Sequence, residues 1–364
     1  MKRYLFYLGH PAHFHLFRHV IAALKGEGHA VEILIKNKDV LEALLDAAGW
    51  PYRNVQRGER GDSRLRIAWS LLKRDVEVLR IARRFRPHLM MGTSAEIAHV
   101  GRLLGLPAVV VNEDDHDVVP LFAKLAYPFA DALLAPVACR MGRWAAKTVF
   151  YESYHELAYL HPDRFAPDPA VPAALAPDGR PYVVLRFAQL NAHHDVGRSG
   201  ITTAVAERLV ERLRPLGHVH ITAERPLEPA LEPYRIRIAP ADIHSALAGA
   251  HLYIGDSQTM AAEAAVLGTP SLRFNDFVGE IGYLEELEHR YGLTRGIRTD
   301  APERLFEQVE AWLAHDDLRA EWARRRDRML EDKVDLTAFL LRFIAEYPEP
   351  AGVEDPVDPV ASAA

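Results

Sequence analysis

The sequence predicts an α/β protein built from two Rossmann-like, doubly wound domains that face each other across a cleft. Short apolar runs without alternation, such as Ala30–Lys36 and Ala108–Asn112, are typical of strands in a parallel sheet covered on both faces. Stretches with helical periodicity separate these runs, which is the element order of a right-handed doubly wound domain. The alternation stops at a proline-rich segment, residues 161–181, and then resumes, so the architecture occurs twice.

The apolar runs and the helical periodicity place the individual elements. In the first half, strands are predicted at Tyr4–Leu8, Ala30–Lys36, Tyr52–Val55, His88–Gly92, Ala108–Asn112 and Ala132–Pro136. Helices are predicted at His15–Lys25, Asp39–Ala48, Leu65–Phe85, Ala95–Leu104 and Val118–Phe129. In the second half, strands are predicted at Tyr182–Phe187, His218–Ala223, Arg235–Ala239, Leu252–Asp256 and Ser271–Asn275. The helices there are Ile201–Leu213, Asp242–Ala248, Met260–Leu267, Glu303–Ala314, Leu318–Met329 and Leu336–Glu346.

These elements divide the chain into two domains, residues 1–165 and 181–330, joined by a linker at 166–180. A separate helix is expected at 331–347. The end of the chain, 348–364, is acidic and rich in proline, so we expect an unpacked tail there. Two such domains leave a cleft between the carboxyl ends of two sheets, which is where open α/β sheets bind ligands.

Composition excludes several classes of protein. With 44 Lys and Arg against 50 Asp and Glu, the 364-residue chain has a net charge of −6, so no global basic field would recruit nucleic acid. Cys139 is the only cysteine, which excludes an intrachain disulfide and a cysteine-based zinc cluster. No apolar run approaches the roughly 18 residues of a membrane span. The first residues are interpreted as a strand and not as a signal peptide, so a cytoplasmic location is expected.

Three histidines follow the first predicted strand, at His10, His13 and His15. His13 falls at the turn into the first helix, and we predict that it faces the cleft as a catalytic base, because an imidazole can accept a hydroxyl proton near neutral pH. The alternative is that these histidines cap the helix or pack against Phe14 and Phe17. Their spacing matches no known zinc pattern, so no metal is expected.

Acidic residues follow the fifth predicted strand, in the run from Asn112 to Asp117. Carboxylates that lie this close repel one another, which raises some of their pKa values unless they are solvated or paired. We predict catalytic roles for Glu113 and Asp114, and the alternative is an ordinary solvated loop. The fourth strand ends in the small residues Gly92–Ser94, whose backbone N–H groups could bind an anion or could simply begin a helix.

The strongest motif lies where the strand Leu252–Asp256 ends in the second half. Ser257 caps a helix whose first N–H groups are unpaired, and these donors form a seat for a phosphate or diphosphate. Glu263 lies about one and a half turns further on and can reach the hydroxyls of a ribose. The alternative is an ordinary capped helix.

An arginine leaves a buried strand at the start of the same half. Arg186 is suited to bidentate binding of a phosphate, and the alternative is a salt bridge across the domain interface. The predicted ligand-binding residues of the second half are Arg186, Asp256, Ser257, Gln258, Thr259, Glu263 and Asn275.

The motif D-S-x5-E-A-x3-G-x-P resembles the UDP-binding pattern of GT-B enzymes, specifically the UDP-N-acetylglucosamine 2-epimerases and the lipid II-type glycosyltransferases. It is carried here by Asp256, Ser257, Glu263, Ala264, Gly268 and Pro270. The segments GHPAHFHLF and KGEGHAVEILIKNKDVLEALL and the turn at 112–115 resemble the family called domain of unknown function 354 over nearly the whole chain.

The resemblance implies a GT-B fold in which Ser257 and the amides after it hold the diphosphate of a UDP-like sugar, with Glu263 on the ribose. It also implies that the last helix crosses back to the first domain, and that His13 matches a histidine that acts on the acceptor in the glycosyltransferases. The sugar nucleotide would be a substrate, and no cofactor is implied.

The leading hypothesis is therefore a metal-independent glycosyltransferase of surface polysaccharide or glycolipid synthesis. A 2-epimerase-like isomerase is the alternative, placed second because Gln258 and Thr259 replace a glycine pair that the epimerases carry. A non-catalytic protein that binds sugar nucleotides is the third hypothesis.

A contact with a membrane would suit a lipid-linked acceptor. Between Arg57 and Arg86 there are 10 basic and 4 acidic residues, a net charge of +6, with Trp69, Leu71 and Leu72 among them. A basic helix with apolar residues can lie on an anionic surface. The preferred alternative is a solvated helix packed on the sheet.

Overall fold

The structure, a computed structural model, describes residues 1–36, 40–56, 64–188 and 200–347, with backbone only for 64–68. It contains two parallel sheets. The first has seven strands in the order β3-β2-β1-β4-β5-β6-β7, and the second has five in the order β12-β11-β10-β8-β9. Every strand pairing in both sheets is parallel, which confirms the predicted fold class. The predicted tail at 348–364 lies outside the described residues.

The first sheet and its helices occupy the first 151 residues. Its strands are β1 Arg3–Leu8, β2 Ala30–Lys36, β3 Arg53–Gln56, β4 Leu89–Gly92, β5 Ala108–Val111, β6 Ala132–Pro136 and β7 Thr148–Tyr151. Its helices are α1 Pro11–Gly26, α2 Leu41–Ala47, α3 Arg64–Phe85, α4 Ala95–Leu104 and α5 Pro120–Ala126. Strands β4 and β5 are buried along their whole length, as apolar runs without alternation require.

The second sheet follows two short helices, α6 Leu157–Leu160 and α7 Ala170–Leu175. Its strands are β8 Tyr182–Phe187, β9 His218–Ala223, β10 Leu252–Gly255, β11 Ser271–Phe274 and β12 Thr294–Ile297. The remaining helices are α8 Thr203–Leu213, α9 Ile243–Gly249, α10 Gln258–Val266, α11 Gly282–His289, α12 Pro302–Leu313, α13 Leu318–Asp332 and α14 Leu336–Glu346. None of the helices in the described part of the chain is long and apolar enough to cross a membrane.

The prediction of a strand at Arg235–Ala239 is wrong. This segment makes one isolated bridge, from Arg235 to Ile221 at the edge of β9, and runs between two single-turn 3-10 helices that contain Pro233 and Pro240. A proline has no N–H to donate to a neighbouring strand, so pairing does not extend along the segment. Strands β7 and β12, of four residues each, were not predicted.

The proline-rich segment after β7 packs more closely than its composition suggested. It contains α7, whose residues Val171 and Leu175 are buried. The amide of Asp168 donates to the hydroxyl of Ser245 on α9 at 3.0 Å. The segment that connects the two sheets is therefore held against the second one, because apolar residues at helical spacing bury one face of even a short helix.

The C-terminal helix α14 lies against the first part of the chain. The hydroxyl of Thr337 donates to the carbonyl of Ala158 in α6 at 2.7 Å, and Asp335 forms an ion pair with Arg164. Just before α14, the ammonium group of the buried Lys333 contacts Glu152 at 3.0 Å and Glu286 at 2.9 Å. Because Glu152 follows β7 and Glu286 lies on α11, this one side chain joins segments next to both sheets.

The strand orders create a switch point in each sheet. The direction in which successive strands are added to the sheet reverses between β1 and β4 in the first sheet, and between β8 and β10 in the second. Ligands of open α/β sheets bind outside the carboxyl ends of the strands at such points. A ligand-binding site is therefore expected among the residues that follow β1, β4, β8 and β10.

Candidate functional site

The histidine turn lies at the switch point of the first sheet. Nδ1 of His10 accepts a hydrogen bond from the amide of Ala12 at 3.2 Å and so caps α1. Nδ1 of His13 accepts from the amide of Gly9 at 3.0 Å, and the hydroxyl of Thr93, after β4, lies 2.6 Å from Nδ1 and 2.9 Å from Nε2 of the same ring. The ring of His13 therefore joins the ends of β1 and β4.

The hydrogen bond from Gly9 determines what His13 can do. Since an N–H group faces Nδ1, the neutral ring carries its proton on Nε2. In this tautomer Nε2 donates a hydrogen bond and has no lone pair for a hydroxyl proton. The hydroxyl of Thr93 lies within reach of that donor, so both a contact between His13 and a ligand and its role as a base stay predictions.

The N-terminus of α10 lies at the switch point of the second sheet. Oγ of Ser257 accepts a hydrogen bond from the amide of Met260 at 3.4 Å and caps the helix. Residues 257–260 are partly exposed, whereas the helix is buried from Ala261 onward. The first turn of α10, which contains Gln258 and Thr259, is thus partly exposed, and an exposed helix N-terminus favours an anion.

Asp256 and Asn275 are buried beneath this helix end and bond to the backbone. The carboxylate of Asp256 accepts hydrogen bonds from the amides of Ala188 at 2.6 Å and Ile201 at 3.1 Å. Burial raises the pKa of Asp256 to about 6, although these hydrogen bonds oppose the rise. Nδ2 of Asn275 donates to the carbonyl of Asp256 at 3.2 Å. Both side chains position the segments around the site, and their predicted contact with a ligand stays a prediction.

The position of the Asp256 carboxylate also explains why residue 200 is a glycine. A Cβ atom on Gly200 would lie 2.5 Å from Oδ2 of Asp256, which is closer than two such atoms can approach. Only glycine lets the backbone after position 199 come near enough to donate from Ile201.

Arg186 is engaged by the neighbouring strand. Its Nη1 donates to the hydroxyl of Thr222 at 3.0 Å, and its Nη2 forms an ion pair with Glu224. Nε is buried and has no partner among the residues that the structure describes. A phosphate would have to share this guanidinium with Glu224, so the predicted binding role of Arg186 stays a prediction.

Glu263 lies in a buried polar cluster where α10 meets α1 and α6. Its Oε1 accepts hydrogen bonds from the hydroxyl of Tyr159 at 2.8 Å and from Nε2 of His244 at 3.0 Å. The ring of His15 packs against both partners, tilted at a centroid distance of 5.2 Å from Tyr159 and edge-to-face at 5.0 Å from His244. This cluster joins the first and second halves of the molecule.

The electrostatics of this cluster favour an ionised Glu263 and a neutral His15. Burial acts to raise the pKa of Glu263, but the charge and the hydrogen bond of His244 outweigh it and lower the pKa. Burial and the neighbouring His244 lower the pKa of His15 to about 3. Among the described residues both hydrogen bonds of Glu263 end on Oε1, so Oε2 is the oxygen that could meet a ribose hydroxyl.

A second buried cluster surrounds Glu113, which follows β5. Oε2 of Glu113 lies 3.3 Å from Nδ1 of His155, and the ring of His155 stacks on Tyr151 with centroids 6.5 Å apart. Burial raises the pKa values of Glu113 and Glu156 well above the ordinary range, and Glu113 adds to the rise at Glu156. The charge of Asp114 contributes to the rise at Glu113.

Sequence reasoning missed several members of these two clusters: Tyr159, His155, Glu156 and His244. The first three come directly after β7 and before the proline-rich segment. That position was a usable signal, because residues next to an interdomain connection tend to lie at the cleft. His244 carried no such signal, since its meeting with Glu263 depends on the packing of α9 against α10.

The three histidines of the first turn do not converge on one point. His15 turns toward Tyr159 and His244, while His10 and His13 have ring centroids 6.0 Å apart. Within the described ranges, the group with metal-ligand spacing is His161, Asp163 and Asp335, and Asp335 there is paired with Arg164. An acidic cluster of this kind does not by itself indicate a metal.

Comparison with known proteins identifies the family and the fold. A family model described as "Protein of unknown function (DUF354)" matches residues 6–276. No curated protein matches the sequence. This is the family whose resemblance the opening segments indicated, and the resemblance is confirmed.

The solved structures that resemble this one have GT-B folds. The Staphylococcus aureus MnaA–UDP co-structure matches with a TM-score of 0.69 at 11% identity, covering 98% of this chain and 100% of that chain. A UDP-N-acetylglucosamine 2-epimerase matches with a TM-score of 0.64 at 13% identity, covering 98% of each chain. The spinosyn rhamnosyltransferase SpnG, complexed with spinosyn aglycone, matches with a TM-score of 0.62 at 18% identity, covering 93% of this chain and 99% of that chain. At these identities the likeness shows the fold alone.

Proposed function

The chain belongs to the DUF354 family, and from this premise we propose that it binds a UDP-like sugar nucleotide in the cleft and transfers the sugar to an acceptor. One observation carries the proposal. The accessible N-terminus of α10 and the carboxylate of Glu263 lie on one helix, about six residues apart, which corresponds to about 9 Å along the axis. That separation fits a diphosphate and the ribose attached to it. The names of similar structures, which include a UDP complex and glycosyltransferases, agree with this ligand class.

Each residue has a role in the proposed reaction. The amides of Gln258 and Thr259 would stabilise the departing diphosphate, and Oε2 of Glu263 would accept from the ribose. His13 would donate from Nε2 to an oxygen of the ligand, in place of the hydroxyl of Thr93. Glu113, whose pKa burial raises, would take the proton of the attacking hydroxyl, because a carboxyl group with a raised pKa can act as a base near neutral pH.

An added negative charge at the start of α10 tests the diphosphate site. We expect Thr259→Glu to weaken UDP binding by about tenfold or more, because the new carboxylate would repel the diphosphate and occupy the field of the helix N-terminus. Isothermal titration of UDP measures the change.

The matched control is Thr259→Gln, which has nearly the same size and shape as the glutamate variant but no charge. It should bind UDP within about threefold of the unmodified protein, since only sterics change. If both variants bind UDP equally weakly, the effect comes from the size of the side chain and not from its charge. No UDP binding by the unmodified protein would overturn the proposed function.

An isomerase is the second candidate, and the pair of buried acids Glu113 and Glu156 favours it. Elimination and re-addition of a nucleotide needs groups that give and take protons, and two carboxyl groups with raised pKa values can do so. Incubation with UDP-N-acetylglucosamine followed by product NMR separates the candidates. UDP released only when an acceptor is present indicates transfer, whereas acceptor-free UDP or an inverted sugar indicates isomerase chemistry.

We also propose that the acceptor is lipid-linked and that α3 contacts the membrane surface. Trp69 and Leu72 are exposed by 59% and 51%. With Lys73 and with Arg80, which forms an ion pair with Glu77 at 3.2 Å, they border a groove of about 570 Å³ between α3 and β3. Basic residues beside exposed apolar ones fit an anionic lipid surface. The residues 57–63 of the basic stretch lie outside the described residues.

Vesicle flotation tests this contact. We expect Trp69→Glu to reduce co-flotation with vesicles that contain anionic lipid by about fivefold, because it removes an apolar anchor and adds repulsion. Leu103→Glu is the control, since Leu103 is 67% exposed on α4, away from the groove. A similar loss in both variants, or no flotation of the unmodified protein, would contradict the proposal.

A further inference from the structure

The cluster around Glu113 holds several buried polar atoms that lack a hydrogen-bond partner within the described part of the chain. They are Oη of Tyr151, Nε2 of His155, both carboxyl oxygens of Glu156, and Oε2 of Glu113, which lies 3.3 Å from Nδ1 of His155 without forming a hydrogen bond to it. Buried polar atoms in native proteins are nearly always hydrogen-bonded, so an unpartnered group of this kind calls for an explanation. A ligand that occupies the cluster is the simplest one.

These atoms belong to one place in the fold. Glu113 follows β5, and the other three residues lie at or just after the end of β7, two strands away in the same sheet. Nδ1 of His155 is 3.3 Å from Glu113, and Tyr151 stacks on the ring of His155. Tyr283 of α11 is buried here as well, and the charges of Glu113 and Glu156 both act on it. The cluster therefore lies where the second half of the chain covers the first.

The two acids of the cluster differ in exposure: Glu113 is partly exposed, whereas Glu156 is buried. In the described ranges no lysine or arginine pairs with either carboxyl group, so the charge that would balance the two acids is not supplied by these residues.

The chemistry of the unpartnered atoms identifies the class of ligand. Three of these atoms are carboxyl oxygens, and burial raises the pKa values of both acids, which favours their neutral form in the fold as it stands. A sugar hydroxyl donates one hydrogen bond but supplies no positive charge that would let either acid ionise. An ammonium group donates three and supplies a positive charge, which is what stabilises a buried carboxylate.

We propose that Glu113 and Glu156 form a binding site for an ammonium group, so that the sugar of the donor or the acceptor carries a free amine. This inference rests on the proposed function and narrows its substrate class. Asp114 and Glu263 add negative charge around the cluster, and burial keeps His155 neutral by lowering its pKa to about 3. The surroundings therefore favour a cation over an anion.

Calorimetry with matched ligand pairs tests the site and separates the two sources of the amine. To test the donor, binding of UDP-glucosamine is compared with that of UDP-glucose. To test the acceptor, binding of glucosamine is compared with that of glucose, with UDP present in both measurements. We expect the amine of one pair to bind about tenfold tighter than its hydroxyl counterpart, as a charge-assisted hydrogen bond would give. Binding measured in two buffers should also show release of about one proton, since a cation favours the ionised acids.

Glu156→Gln should abolish both the preference for the amine and the release of protons. Glu152→Gln is the matched control, because Glu152 follows the same strand, has a half-exposed side chain and pairs with Lys333. It should retain the preference and the proton release. Thermal melting confirms that both variants are folded.

Binding of UDP alone distinguishes the possible failures. If UDP binds and neither amine is preferred, the ammonium site is overturned while the proposed function stands. If Glu156→Gln and Glu152→Gln lose the preference for the amine equally, the cluster around Glu113 is not the ammonium site. If UDP does not bind at all, the proposed function itself fails.

Discussion

Replacing Glu263 with alanine is expected to destabilise the protein by about 3–5 kcal/mol, the usual cost of removing one partner of a buried charged pair. Tyr159 and His244 both donate to Oε1 of this glutamate, at 2.8 and 3.0 Å. Both partners are almost fully buried, so water does not replace the lost acceptor. Equilibrium unfolding in urea measures the loss of free energy.

A glutamine at the same position separates the structural role of Glu263 from a role in binding. The amide oxygen of Glu263→Gln can accept both hydrogen bonds, so its stability should remain within about 1 kcal/mol of the unmodified protein. The NH2 group that replaces Oε2 cannot accept from a ribose hydroxyl, and UDP should bind about tenfold more weakly. If Glu263→Gln binds UDP unchanged, Glu263 is a structural residue only and the proposed ribose contact is wrong.

The two-sheet architecture was predictable because parallel sheets leave a strong mark on the sequence. Fully buried strands such as β5 require continuous apolar runs, and the predicted bounds of β2, β6 and β8 coincide with the structure. The strand β7 was missed because its four residues, Thr148–Tyr151, follow a 3-10 turn and not a long helix. Edge strands are held by one neighbour and need less apolar sequence, so their signal is weak.

The candidate site was predictable only up to the strand ends. Parallel strands bring their carboxyl ends to one edge, so Thr93 and His13 meet although 80 residues separate them. The partners of Glu263 could not be predicted, because Tyr159 lies 104 residues away and belongs to α6, a helix of a single turn. Contacts between elements of different domains depend on how the domains dock, which no local pattern records.

Burial was the other property that the sequence did not reveal. In the motif Ser153-Tyr154-His155-Glu156 the polar residues suggest a solvated turn, yet His155 and Glu156 are buried. Charged residues are almost never fully buried unless they are paired, so a solvated turn was the more probable structure for this segment. For the same reason, a buried acid without a partner is informative when the structure contains one.

Asp256→Asn should lower stability, and the size of the loss should depend on pH. Asparagine offers one oxygen where Asp256 accepts from two amides, so one of the amides of Ala188 and Ile201 would be left facing an NH2 group. That alone should cost about 1–3 kcal/mol. The pH dependence comes from the pKa of Asp256, which burial raises from 3.8 to about 6.

Because the pKa of Asp256 is raised in the folded state, Asp256 stabilises the protein more at low pH than at high pH. The folded state binds the proton of Asp256 more tightly than the unfolded state, so its contribution to stability is fully present below pH about 4 and is lost as the pH rises through about 6. The difference in unfolding free energy between the unmodified protein and Asp256→Asn should therefore be about 2 kcal/mol larger at pH 4 than at pH 8. Urea titrations at both pH values measure it.

Asp178→Asn provides a control of opposite sign. A hydrogen bond from His218 lowers the pKa of Asp178, so its contribution to stability is present above the ordinary carboxyl pKa and is lost as the pH falls. The difference for this variant should shrink toward pH 4, while that for Asp256→Asn grows. A difference for Asp256→Asn that does not change with pH would mean that Asp256 stays ionised in the fold, held by the two amides in spite of its burial.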